Sequence, residues 1–107
     1  MSQPANTMQV TEDEQRIIDS ILSDILKEHT SARVFVFGSR ARGDARLSSD
    51  LDLCIDNVDP LPLEMFPLLR EAFEQSNLPY TVDIVERRNM SSAFYNSVAT
   101  DMTPIYS

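Results

Sequence analysis

Two carboxylates, Asp50 and Asp52, stand one residue apart, alternating with Leu51, Leu53 and Ile55. Residues two apart on a strand point to the same face, so this spacing sets the two carboxylates side by side. Two like charges that close repel, and each raises the other's pKa unless something neutralises them. A divalent cation with hard oxygen ligands, Mg2+ above all, answers that need and keeps positions open for water and phosphate oxygens. Upstream, Gly38 and Gly43 are the only glycines in the chain. Glycine lets backbone approach a ligand closely and take strained turn angles. Ser39 adds a hydroxyl and a backbone N–H, and Arg40, Arg42 and Arg46 add cations suited to phosphate. A phosphate grip and a metal grip thus lie at the two ends of one strand–loop–strand unit.

Each feature alone is common: Gly-Ser is an ordinary turn, and a loop arginine is usually solvated. Their joint spacing carries the signal. Gly38-Ser39, ten intervening residues and then Asp50-x-Asp52 resemble the signature of the DNA polymerase beta-like nucleotidyltransferases. The run from Gly38 to Gly43, Gly-Ser-Arg-Ala-Arg-Gly, in a chain of 107 residues is similar to the minimal nucleotidyltransferase (MNT) branch. Members of that branch often act as antitoxins of HEPN-domain ribonuclease toxins.

The resemblance implies a type VII-like HEPN/MNT toxin–antitoxin pair, with this chain in a hetero-oligomeric complex with its toxin. It implies Mg2+-dependent transfer of AMP from ATP to a tyrosine hydroxyl of the toxin, which neutralises it. Asp50, Asp52 and Asp83 then form the catalytic set and hold Mg2+, two ions in all. Gly38 and Ser39 cradle the nucleotide phosphates, helped by Arg40 or Arg42. Two alternatives stand beside this: an antitoxin acting by binding alone, and a nucleotidyltransferase subunit acting on a small-molecule hydroxyl.

The elements that must position these residues follow from periodicity and turn chemistry. Residues 1–10 are polar and read as a flexible arm, and 11–107 as a single domain. Thr11 with Glu14 forms a capping box, and Ile17, Ile18, Ile21, Leu22, Ile25 and Leu26 recur at helical spacing behind it. Arg33 to Phe37 is a first strand, and Gly38 to Ser49 a loop with a short helical turn. Asp50 to Ile55 is a second strand. Leu63 to Ser76 is helical, starting or kinking at Pro67. Tyr80 to Val85 is a third strand with Asp83 as a lone acid in an apolar run. Burying that acid unpaired would be costly, and facing the other carboxylates removes the conflict. A last helix capped by Asn89 or Ser91 contains Ala93, Phe94 and Val98. The tail, Ile105 to Ser107, adds a short strand or docks on the sheet.

The expected fold is α/β (α+β): a three-stranded mixed sheet of order 1-2-3, helices on one face, in the manner of a nucleotidyltransferase core. The short connection between strands one and two favours an antiparallel pair, and the carboxylates line the open face.

A net charge of −8 argues against direct nucleic-acid binding and suits a basic protein partner. One cysteine, Cys54, excludes an internal disulfide framework and fits a reducing cytoplasm. No stretch approaches the length of a membrane span. Arg87 and Arg88 read as solvated or partner-facing.

Overall fold

The computed structural model describes residues 8–107. The chain builds α1 (Glu12–Ile25), β1 (Arg33–Phe37), α2 (Ser39–Arg42), β2 (Leu51–Asp56), α3 (Met65–Glu74), β3 (Val82–Glu86), α4 (Ser92–Val98) and β4 (Thr103–Tyr106). Single 3-10 turns, Arg87–Asn89 and Ala99–Asp101, flank α4.

The sheet has four strands in the order β3-β2-β1-β4, not three. The inner order of β1, β2 and β3 is the expected one. β1 runs antiparallel to β2 and to β4, and β2 runs parallel to β3. The extra strand comes from the tail and covers the free edge of β1. Pro104 lies in it, and a strand at the sheet's edge tolerates a residue without an N–H.

Alternation along the strands builds the core. Val34, Val36, Leu51, Leu53 and Ile55 point to one face and are fully buried there. Ile18 and Leu22 of α1, and Leu69 and Phe73 of α3, pack over them. Burial of each such side chain contributes roughly 1.5–3 kcal/mol. The capping box at Thr11 and Glu14 is present in both directions, which satisfies N–H groups that the first turn leaves free. Pro67 falls in the first turn of α3, where its missing N–H costs nothing, so the helix starts at Met65 without a kink.

Helices do not all lie on one face. α1 and α3 cover the core side, whereas α4 leans on the other. The Phe94 ring of α4 meets the Phe37 ring edge-on, centroids 6.0 Å apart. α4 is too short and polar to bury a full face, and it shelters the sheet's second face only in part.

The arm expected over residues 1–10 lies outside the described residues as far as residue 7. Met8 and Val10 are partly buried against the core, and Gln9 is hydrogen-bonded to the loop after β1, so this part is docked. Two apolar side chains and one amide with backbone partners explain the docking.

Candidate active site

Register builds the centre of the site. Phe37 at the end of β1 lies opposite Asp52 of β2, and Asp52 lies beside Asp83 of β3. The three form one row across the face turned away from α1 and α3. The chain leaves β1 at Gly38 with φ +79°, a conformation that side chains disfavour. A Cβ at Gly38 would stand 2.5 Å from Asp52 Oδ2, so the carboxylate would have to move aside. Glycine therefore serves both the turn and the close approach of backbone to carboxylate. Gly43, also at positive φ, closes α2, and its N–H donates to the Ser39 carbonyl.

Asp52 is half-buried, and that burial is the main cause of its raised pKa. Repulsion from Asp83 and then from Asp50 adds to it, while Arg42 pulls the other way. Asp83 is exposed in β3. Asp50 is exposed and stands one residue ahead of β2 rather than inside it. Among the described residues no three His, Cys, Asp or Glu side chains are grouped so that they could hold a metal ion between them. Asp52 and Asp83 are paired by the sheet and line the same cleft, whereas Asp50 does not line it and bears on Asp52 through its charge. Hard oxygen donors that repel one another without a full counter-charge fit a divalent cation chemically.

A cleft of about 480 Å3 opens over this row. Gly38, Asp52 and Asp83 form one end, while Phe37, Val85, Phe94 and Val98 make an apolar wall. Arg70 of α3 also lines it, close to Asp83. The sequence alone gives Arg70 no role and places Phe94 and Val98 only in the last helix, not at the cleft. Arg70 is the single cation of α3, exposed on an otherwise apolar and acidic helix, and that isolation was the available signal.

The loop residues separate into two groups. Ser39 opens α2 with its hydroxyl making no hydrogen bond among the described residues, so it is available to a ligand. Arg42 is exposed, bonded to Asp44 and Asp101 at 3.3 Å each, and near enough to lower the Asp52 pKa. Its own pKa is raised by the hydrogen bonds to Asp101 and Asp44. Arg40 departs from the expectation. It is 6% exposed and its guanidinium points into the protein, donating to the carbonyls of Gln9, Arg46, Leu47 and Ser49. A planar fork with five donors suits a cage of carbonyls better than a solvated phosphate site would require. Arg40 is thus committed to the loop and turned away from the cleft.

Further along the same face, a smaller cavity of about 130 Å3 lies among Arg33, Phe35, Cys54, Asp56, Arg87, Tyr95 and Met102. Burial pushes the Cys54 thiol up to about 11, with Asp56 adding to the shift and Arg87 opposing it. That thiol is a packing group, not a nucleophile. Arg87 stacks on Tyr95 at 3.6 Å, and Arg88 pairs with buried Glu86 at 3.0 Å.

The model of the nucleotidyltransferase domain family matches residues 18–106. The chain is 36% identical over 87 residues to the probable protein adenylyltransferase MntA of Haemophilus influenzae, spanning 81% of this chain and 74% of that one. Among solved structures it is similar to a toxin–antitoxin crystallised with AMP-PNP, with a TM-score of 0.64 and 22% identity over 82% of this chain and 72% of that one. A mutant MntA–HpeT toxin–antitoxin gives a TM-score of 0.62 and 21% identity over the same shares of the two chains. At these identities the two structures speak for the fold.

Proposed function

The chain belongs to the nucleotidyltransferase domain family, and from that premise we propose that it is the antitoxin of a HEPN/MNT pair. It transfers AMP from ATP to a tyrosine hydroxyl of its ribonuclease toxin and so silences it. The observation that carries this reading is the row Phe37, Asp52, Asp83 beside Gly38: two neighbouring carboxylates under a backbone kept bare of side chain. Similarity to a protein adenylyltransferase supports the choice of a protein acceptor and of ATP.

Asp50, Asp52 and Asp83 would hold Mg2+, which neutralises the phosphate charge and steadies the leaving oxygen. The backbone at Gly38 and the free hydroxyl of Ser39 grip the phosphates, with Arg42 and Arg70 supplying positive charge at the rim. The apolar wall of Phe37, Phe94 and Val98 gives the nucleoside a dry surface. The tyrosine oxygen attacks the α-phosphorus and forms a new P–O bond. The bond from the α-phosphorus to the bridging oxygen breaks, and pyrophosphate leaves with its electron pair. Asp83, exposed at the cleft, takes the proton of the attacking hydroxyl. Positioning and charge neutralisation carry most of the rate.

Growth of cells that express the HEPN toxin tests the assignment. Wild type should restore growth, and Asp50→Asn with Asp52→Asn should fail to do so while still being produced in soluble form. Rescue by the double variant would replace the catalytic reading with inhibition by binding alone.

A further inference from the structure

Arg40 is a buried cation that pairs with no carboxylate among the described residues, and buried charge is costly unless its donors are used. Here the donors are used on one purpose. Nε and Nη2 both donate to the Ser49 carbonyl, at 3.1 and 2.9 Å. Nη2 also reaches the carbonyls of Leu47 at 3.1 Å and Arg46 at 3.4 Å. Ser49 immediately precedes Asp50, so two hydrogen bonds from one guanidinium fix the peptide that carries the exposed carboxylate.

The segment ahead of α1 grips the same loop from outside. The Gln9 side-chain amide reads Ala45 on both sides, accepting from its N–H at 2.6 Å and donating to its carbonyl at 3.2 Å. The Gln9 backbone N–H donates to the Arg40 carbonyl at 2.7 Å, and Arg40 Nη1 returns a bond to the Gln9 carbonyl at 3.1 Å. Behind the guanidinium lies the Tyr80 ring at 3.8 Å, whose hydroxyl donates to Glu14 Oε1 at 2.9 Å. Glu14 is the acid of the α1 capping box. One continuous set of contacts therefore runs from the start of α1 to the residue before Asp50.

We propose that Gln9 and Arg40 are positioning residues: together they strap the β1–β2 loop so that Asp50 is held toward Asp52 and Asp83. Neither touches the cleft, and each acts through the loop backbone. The proposal rests on the reading of Asp50 as a metal ligand, and it adds the segment preceding α1 to the machinery of the site.

Gln9→Ala is the first test, because it removes one polar side chain from a partly exposed position. The probes are Mn2+ alone, titrated by the loss of its free-ion resonance, and amide exchange in the loop. The Ala45 amide loses its partner in any case, so the informative amides are those of Arg46 and Ser49, bonded within the loop to Ser49 Oγ and the Arg46 carbonyl. With melting held within a few degrees of wild type, both amides should exchange faster, and Mn2+ should bind about 10-fold more weakly, as for loss of an outer-shell partner. Gln9→Glu keeps the acceptor for the Ala45 N–H and should recover part of both effects, and it stands in if Gln9→Ala does not fold. Unchanged exchange at Arg46 and Ser49 with unchanged Mn2+ affinity would overturn the strap. No Mn2+ binding by wild type would overturn the metal-site reading instead, and the exchange rates would then decide the strap by themselves.

Discussion

Asp52 is the residue on which the site turns, and its environment predicts how the protein responds to pH. Its carboxyl is raised by burial and by Asp83 and Asp50. In the unfolded chain it titrates in the ordinary carboxylate range. Between those two values the folded state holds a proton that the unfolded state has lost, so stability falls as pH rises. Above the raised value the whole penalty is present; below the unfolded value it is absent. Asp52→Asn should therefore stabilise the metal-free protein at pH 7 and raise its melting temperature. The gain should vanish near pH 3, and added Mg2+ should narrow it by stabilising the wild type. Melting curves with a chelator and with Mg2+ check this, and a variant less stable than wild type at pH 7 would contradict it.

Local residue chemistry was legible where it acts locally. Gly38 at positive φ, the Thr11–Glu14 box and the Ser91 cap of α4 all follow from short-range rules. Arg40 was not legible. Its spacing matches a phosphate ligand as well as a loop scaffold, and only the three-dimensional closeness of Gln9, Arg46, Leu47 and Ser49 decides between them.

At the scale of elements, the strand that carries Asp83 is anchored by the turn that follows it. Glu86 at its end is 6% exposed, accepts the Leu61 N–H at 3.1 Å and pairs with Arg88 at 3.0 Å. Arg88 also donates to the Asn57 and Val58 carbonyls, tying β3 to the loop between β2 and α3. Arg88→Ala leaves a buried carboxylate without its cation and should cost about 3 kcal/mol, measured by urea unfolding. Glu86→Gln with Arg88→Ala together should cost less than Arg88→Ala alone, since the stranded charge is gone. Helices and strands were legible from their periods, with errors at the ends. β2 begins after Asp50, because Leu51 is the first residue to join the ladder. β4 was harder to foresee, since a four-residue tail containing proline has no period to read, and only the open edge of β1 gives it a reason to be extended.

At the scale of the molecule, α1 and α3 seal one face, and α4 half-covers the other, leaving a cleft with an acidic end and an apolar wall. That asymmetry follows from where the chain spends its apolar residues. The faces of α1, α3 and strands β1, β2 and β3 are consistently apolar toward the core, whereas α4 offers Phe94 and Val98 to the cleft. The acidic pair was readable because a strand's two-residue period places it. The cleft was not, because it needs the position of α4 over the second face, which no local pattern fixes. Among the described residues no helix is long and apolar enough to cross a membrane.

If Asp50, Asp52 and Asp83 form the proposed transfer site, AMP must appear on a protein acceptor. The intact mass of the proposed HEPN toxin, after incubation with this chain, ATP and Mg2+, is the first quantity to measure. Wild type should add mass in whole AMP units to the toxin, and Asp50→Asn with Asp52→Asn should add none. An unmodified toxin in the presence of wild-type chain, ATP and Mg2+ would rule out that transfer.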